Sequence, residues 1–181
     1  IQIMKTPLIL SFFFFTAALM AEKKDLHSAT KPAPRQGGWW MERHEAFKKR
    51  VSAGKVDLIL IGDSNTQAWE GKGKKVWAKH YGKRNAVNLG ISGDRTQHVI
   101  WRLDNGNVKN ISPKAAVVMI GPNNSGSNTS EEIADGVAAI TKQLRTKLPK
   151  TKVLLLGICT HKWESNIPGG RECDLRCRTR G

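Results

Sequence analysis

Cysteine is scarce in this chain of 181 residues, and the three that are present form no familiar metal-binding pattern. Cys159, Cys173 and Cys177, together with His161, have side chains of the kind that bind zinc, but their spacing matches no common zinc site. An odd number of cysteines also leaves at least one thiol outside any set of disulfides. The cysteines therefore do not predict a metal site.

Acidic residues are also few, because 15 Asp and Glu against 30 Lys and Arg give a formal net charge of +15. The segment 71–84 contains no acid, and its six cations are Lys72, Lys74, Lys75, Lys79, Lys83 and Arg84. A basic cluster of this kind can bind nucleic acid, but no aromatic-rich platform accompanies it. We therefore interpret the cluster as a solvated surface and expect no nucleic-acid partner, with nucleic-acid binding as the alternative hypothesis.

Long hydrophobic runs are missing as well. The longest, Leu8 to Leu19, falls short of the roughly 20 residues that a membrane-spanning helix needs. It follows Met4 and Lys5, as the apolar part of a secretory signal follows a basic start. We predict a signal peptide over residues 1–21, a secreted or periplasmic location and no stable membrane insertion, with a membrane anchor as the alternative. Residues 22–38, which are polar and contain proline and glycine, are predicted to be a flexible linker.

Four short apolar runs follow the linker, at residues 56–61, 86–89, 115–120 and 153–158. Each is rich in Val, Ile, Leu or Ala without alternation, which is typical of strands buried on both faces. Helical patterns precede or separate them, at Met41–Val51, Thr96–Leu103 and 131–148. This alternation predicts one α/β domain over residues 39–158, a three-layer α/β/α sandwich around a parallel sheet.

A polar, glycine-bearing turn follows each of the first three strands, at residues 62–64, 90–94 and 121–124. Because the carboxyl ends of parallel strands meet at one edge of a sheet, we expect the three turns to lie together. Ser64 offers a hydroxyl nucleophile, and its attack on a carbonyl would create an oxyanion that needs fixed donors. The backbone N–H groups of Ser64 and Gly93 and the carboxamide of Asn123 are the candidate donors. The turns therefore predict a serine hydrolase.

These turns resemble the conserved blocks of the SGNH, or GDSL, hydrolase superfamily. Gly62-Asp63-Ser64 resembles its nucleophile block, and residues 88–94 and 121–124 resemble its second and third blocks. Residues 93–106 are similar to the branch that contains the catalytic subunits of platelet-activating-factor acetylhydrolase. The resemblance runs from around residue 41 to residue 158. It implies a flavodoxin-like sheet of strand order 2-1-3-4-5, no metal or organic cofactor, and hydrolysis of small acyl esters.

The same resemblance implies roles for individual residues. Ser64 is the expected nucleophile, and Gly93 and Asn123 are expected to complete an oxyanion hole with the N–H of Ser64. The expected substrate-binding residues of the turns are Asp63, Gly90 and Asn124. In this family Asp63 is not the acid of the catalytic triad, and we also expect it to shape its turn. The expected partner is a small-molecule ester substrate, and the oligomeric state stays open.

The late Asp-x-x-His block that supplies the general base in this family has no counterpart after residue 158. We expect the fifth strand and the last helix to be missing with it, and residues 159–181 to be a disordered basic tail. A triad of Ser64, His161 and Asp174 is the alternative, whereas His98 is expected to pack on its helix. The sequence therefore predicts a truncated chain, from a reading-frame error or a partial gene, with impaired activity. A non-catalytic module that binds a carbohydrate or an acyl group is the alternative function.

Overall fold

Strands and helices alternate along residues 27–157, the part of the chain that the computed structural model describes. The strands there are β1 (Leu58–Gly62), β2 (Ala86–Gly90), β3 (Ala115–Met119) and β4 (Lys152–Leu155). The helices there are α1 (Gly38–Ser52), α2 (Ser64–Gln67), α3 (Lys74–His80), α4 (Thr96–Asp104) and α5 (Ser130–Lys147), with 3₁₀ turns at Ala68–Glu70 and Pro122–Asn124. The predicted strands and helices are confirmed with shifts of a few residues at their ends, while α2 and α3 were not among the predicted helices.

The sheet is parallel, and its strands lie in the order β2-β1-β3-β4. This confirms the predicted α/β class and the first four positions of the flavodoxin-like order. Gly62 at the end of β1 is in register with Gly90 of β2 and Met119 of β3. The three strands therefore end at one level, and the turns that follow them start from one edge of the sheet.

One face of the sheet forms the main core with α1, α4 and α5. Ile61 of β1 and Val118 of β3 are buried there with Val99 of α4 and Ile140 of α5. Burial of apolar surface of this kind is the main favourable contribution to folding, at about 25 cal/mol for each Å² removed from water. The core therefore stabilises the sheet from one face, while the turns lie at its carboxyl edge.

Helix α5 begins with a capping box. The Thr129 hydroxyl accepts a hydrogen bond from the Glu132 N–H, and the Glu132 carboxylate accepts one from the Thr129 N–H. These two bonds satisfy donors that the first turn of a helix otherwise leaves free. Thr129 closely follows the third turn, so the cap also fixes where that turn ends.

Residues 27–37 fall in the range for which the sequence predicts a flexible linker, yet they pack against the start of α4. Ala29 is fully buried, and its carbonyl accepts a hydrogen bond of 2.7 Å from the Thr96 hydroxyl. The Ala33 N–H donates to the carbonyl of Gln97. Composition misses this packing because the bonds use the backbone, and a polar, proline-containing stretch gives no sign of them.

Several sequence predictions lie outside the described residues, namely the signal peptide at 1–21, the start of the linker and the basic tail at 159–181. From residue 27 to residue 157, none of the helices combines the length and apolar character needed to cross a membrane.

Candidate active site

The first turn, between β1 and α2, exposes a serine hydroxyl at the edge of the sheet. A side chain at Gly62 would overlap the side chain of Thr66 and the carbonyl of Met119, so glycine is required for α2 to approach this closely. Asp63 is buried, and its Oδ1 accepts a hydrogen bond of 2.9 Å from the Asn65 N–H. This bond caps α2 and leaves Ser64, its first residue, exposed to solvent.

The second turn is fastened to α2 by side-chain hydrogen bonds. The Asn88 carboxamide donates to the carbonyl of Thr66 at 2.8 Å, and Gln67 Oε1 accepts from the Ser92 N–H at 2.7 Å. Gly93, the next residue, has a φ of 77°, a left-handed conformation that favours glycine. The two turns are therefore held at a fixed separation, with Gly93 in a backbone conformation that other residues rarely adopt.

The third turn reaches across to the first two through Asn123. Its Nδ2 donates to the carbonyl of Asp94 at 2.8 Å and lies 3.5 Å from Oδ2 of Asp63. Asp63 adjoins Ser64 along the chain, and Asp94 adjoins Gly93. The structure therefore brings the three turns into contact, as the sequence predicts for strands that end at one edge.

Gly90 and Asn124, two of the expected substrate-binding residues, are buried and hold the turns in place. A side chain at Gly90 would overlap the backbone of Gln67, and the Gly90 carbonyl accepts hydrogen bonds from the Arg43 guanidinium. The Asn124 side chain is fully buried, and its Oδ1 accepts a hydrogen bond of 3.0 Å from the Thr96 N–H. Its Nδ2 donates to side-chain oxygens of Thr96, Gln97 and Asn128. In this structure both side-chain positions face protein atoms, so we assign them a positioning role.

Asp63, the third expected substrate-binding residue, is likewise enclosed. Burial raises the pKa of its carboxyl, while its hydrogen bonds with Asn65 oppose that shift. With Asn65 on Oδ1 and Asn123 on Oδ2, both oxygens face protein donors. Asp63 therefore acts on the site through the turn it caps, in agreement with the turn-shaping role that the sequence also suggests.

Behind Gly93 lies a buried polar network that the sequence did not predict. The Asp94 carboxylate is fully buried and accepts hydrogen bonds from Trp40 Nε1 at 2.7 Å and from Arg102 Nε at 2.9 Å. Arg102 Nη1 continues to the Asn107 side chain at 2.8 Å, and Asn107 contacts His44 Nδ1 at 3.0 Å. Burial raises the pKa of Asp94, and the Arg102 guanidinium opposes that shift. The network joins α1, the second turn and α4 at one carboxylate.

Arg102 itself carries the sequence signal that could have revealed this network. It lies between Ile100 and Leu103 on the buried stripe of α4, where an apolar residue is the usual occupant. A charged residue on such a stripe is rarely buried without a partner. The acid nearest to it on the preceding turn is Asp94, eight residues earlier.

His98, on α4, is one of the histidines in the described residues that take part in packing. His98 Nδ1 accepts a hydrogen bond of 2.9 Å from the Arg95 N–H, which caps α4. Burial, followed by the charges of Arg35, Arg95 and Arg102, lowers the pKa of His98 to about 4. Within residues 27–157 no hydrogen bond joins a histidine to Ser64, and no cluster of three or more His, Cys, Asp or Glu could hold a metal ion. His161 and Asp174 of the alternative triad lie outside the described residues.

Comparison with known proteins identifies the family. The sequence model of the GDSL-like Lipase/Acylhydrolase family matches residues 60–175, well over half of the chain. The chain belongs to this family. The match confirms the predicted family, and it continues to residue 175, so the predicted end of the resemblance at residue 158 is wrong. It does not favour the alternative of a non-catalytic binding module.

Curated relatives belong to the predicted branch. The human platelet-activating factor acetylhydrolase IB subunit alpha2 is 39% identical over 119 residues, which cover 66% of this chain and 51% of the relative. The alpha1 subunit from Bos taurus is 36% identical over 138 residues, covering 74% of this chain and 58% of the relative. The chain thus spans about half the length of the curated relatives it matches, with 51% for the alpha2 subunit.

A solved structure described as a platelet activating factor from Streptococcus pneumonia has the same fold. It superposes with a TM-score of 0.53 at 23% identity and covers 66% of this chain and 56% of the other. At this identity the likeness supports the parallel α/β architecture alone.

Proposed function

We propose that this chain carries the nucleophile and the oxyanion donors of a hydrolase that cleaves small acyl esters. Family membership and the acetylhydrolase relatives support this class of reaction. In the proposal Ser64 is the nucleophile, and the N–H groups of Ser64 and Gly93 and the Asn123 carboxamide stabilise the oxyanion. Acetyl esters are the substrates that the names of the relatives favour.

The reaction would proceed through an acyl-enzyme. Ser64 Oγ attacks the ester carbonyl carbon and gives its proton to a base, and the carbonyl oxygen becomes an oxyanion in the tetrahedral intermediate. Collapse of this intermediate breaks the bond to the alcohol, which leaves with a proton. Water then attacks the acyl group on Ser64 and releases the acid, regenerating the hydroxyl. Each addition places negative charge on the same oxygen, so fixed donors at that point lower both barriers.

The observation that carries the proposal is the position of Asn123 between the other two turns. Its amide nitrogen contacts Asp94 at 2.8 Å and Asp63 at 3.5 Å. The longer contact is the weaker one, so we expect an oxyanion to take the hydrogen atom directed at Asp63. Catalytic hydrogen bonds in unliganded enzymes are often long and shorten when the substrate binds.

A general base is the part of the machinery that residues 27–157 do not place against Ser64. A serine hydroxyl is a weak nucleophile without a base, so the proposed reaction needs one within reach of Ser64 Oγ. We also propose that residues 1–21 direct export of the chain.

The test is hydrolysis of p-nitrophenyl acetate by the purified chain and by two serine variants. Ser64→Ala should abolish the protein-dependent release of nitrophenol. Ser52→Ala is the matched control, because Ser52 is exposed at the far end of α1. Its rate should equal that of the unmodified chain. Equal rates in the unmodified chain and in Ser64→Ala would refute the proposed nucleophile.

A further inference from the structure

Arg35 lies directly beside the glycine of the second turn. Its Nη1 donates a hydrogen bond of 2.6 Å to the Ser92 carbonyl. A Cβ atom built on Gly93 would lie 3.0 Å from Nη1, 3.3 Å from Nη2 and 3.4 Å from Cζ of this guanidinium. The cation therefore occupies the space in which a side chain at position 93 would begin.

The charge of Arg35 is not fully balanced by its surroundings. The Asp94 carboxylate is 3.8 Å from its Nη1, but the same carboxylate already accepts hydrogen bonds from Trp40 and Arg102. One acid thus faces two guanidinium groups. Arg95, two residues after Gly93, donates to the Ser127 hydroxyl, which carries no charge. The second turn consequently lies beside a net positive charge. Burial is the main cause of the lowered pKa of His98, and the charges of Arg35, Arg95 and Arg102 lower it further.

Arg35 also keeps donors available for a ligand. Its side chain is 27% exposed, and among residues 27–157 its Nε and Nη2 have no hydrogen-bond acceptor. The Trp39 ring lies 5.4 Å from Cζ, a distance at which an indole face attracts a guanidinium. The backbone bonds of Ala29 and Ala33 hold this part of the chain against α4. The guanidinium is therefore anchored on one side and open on the other.

We propose that Arg35 selects substrates, so that the site prefers acyl esters carrying an anionic group, a carboxylate or a phosphate, close to the ester carbonyl. A guanidinium with two free donors matches both groups, because it can bind two of their oxygens at once. The proposal rests on the proposed function, since Gly93 marks the position of the carbonyl oxygen. It deepens that function by assigning a charge to the substrate.

The experiment is a ligand-observed NMR titration of Ser64→Ala protein, which cannot turn the probes over. The probes are monoethyl succinate, an anionic ester, and diethyl succinate, its neutral counterpart. We expect the anionic ester to bind about tenfold more tightly, the gain typical of a partly exposed hydrogen bond between charged groups. Raising the salt concentration should reduce this preference. Equal affinity for the two esters would overturn the proposal.

Three further substitutions in the Ser64→Ala background test whether Arg35 causes the preference. Arg35→Gln keeps an amide donor for the Ser92 carbonyl but removes the charge, so the preference should vanish. Arg84→Gln is the matched control because Arg84 is exposed and precedes β2, at the opposite end of the sheet. It should leave the preference unchanged. Arg35→Lys keeps the charge without the forked geometry and should give an intermediate preference. A preference that persists in Arg35→Gln contradicts the proposal.

Competition separates the two anionic groups. Sodium acetate and inorganic phosphate are each titrated against bound monoethyl succinate. Displacement that is lost in Arg35→Gln supports the proposal, and the stronger competitor identifies the preferred group. Displacement by neither overturns it. The nitrophenyl acetate test remains separate: if Ser64→Ala still hydrolyses that ester, the proposed nucleophile fails, while the Arg35 preference is measured without turnover.

Discussion

The two ends of the strand order differ in burial: β1 and β2, which form the covered side of the sheet, are buried, whereas β4 is largely exposed. Along β1 and β2 every residue after the first is buried, and α2 lies across their carboxyl ends. In β4 and the residue after it, Leu154, Leu155 and Leu156 are 55, 47 and 43% exposed. All four strands come from similar apolar runs. The comparison teaches that such a run specifies a strand, whereas its burial depends on what packs against it.

Polar contacts show the same contrast. The turns are held together by the hydrogen bonds of the fully buried Asp94 side chain and the half-buried Asn123 side chain. Beside β4, a cavity of about 420 Å³ lies between α5 and the ends of β3 and β4, and its lining is mostly apolar. The candidate site therefore lies where side-chain hydrogen bonds hold the turns in place, and away from the exposed strand β4. We expect substitutions on that side to cost much more than similar substitutions in β4.

The largest expected effect comes from removing Arg102. Arg102→Ala leaves the Asp94 carboxylate buried without its main charged partner, and breaking a buried pair in this way costs about 3–5 kcal/mol. The free energy of unfolding, measured in urea, should fall by this amount. Arg84→Ala, an exposed arginine before β2, is the control and should change stability by less than about 0.5 kcal/mol. Similar stabilities for the two variants would show that the network does not support the second turn.

Next in size is the loss of the Asn123 carboxamide. If it stabilises the oxyanion, Asn123→Ala should lower kcat about 10²–10³-fold, which corresponds to about 3–4 kcal/mol. Nitrophenyl acetate hydrolysis measures this, with urea unfolding to verify that the variant remains folded. Asn105→Ala, at the exposed end of α4, is the matched control and should keep the rate of the unmodified chain. An unchanged rate in Asn123→Ala would remove this residue from the proposed mechanism.

The meeting of the three turns could be predicted from apolar runs that end in glycine-bearing turns, whereas the strand order was predicted from the family resemblance. The sequence was not sufficient for the network around Asp94. Those contacts join residues up to 63 positions apart, as between His44 and Asn107. It also missed the packing of residues 27–37, which uses backbone groups that composition does not reveal. The depth at which Asn124 and Gly90 lie was missed as well, because burial depends on how α2 and α4 pack over the edge.

His98 should make the stability of the covered side depend on pH. Its folded pKa of about 4 lies below the ordinary 6.5, so the unfolded chain takes up the proton first as the pH falls. The neutral His98 therefore contributes its full stabilisation above pH 6.5. As the pH falls towards 4, the free energy of unfolding should decrease by up to about 3 kcal/mol. Urea unfolding between these values measures the loss.

The control for this effect is His98→Asn. The Asn Oδ1 can accept the Arg95 N–H in place of Nδ1, but it does not titrate. We expect the variant to lose distinctly less stability over the same pH range. Parallel curves for the two proteins would show that another group is responsible for the acid sensitivity.

The smallest effect is expected at β4, and it tests the comparison directly. Leu154→Ala removes a side chain that is 55% exposed, so it should lower the free energy of unfolding by about 1 kcal/mol or less. The same substitution at Leu89, fully buried in β2, should cost about 2–5 kcal/mol because it leaves a cavity in a packed core. Urea unfolding of the pair gives the difference. Equal losses would mean that β4 is covered in solution as fully as β2, and the two sides of the sheet would then be equivalent.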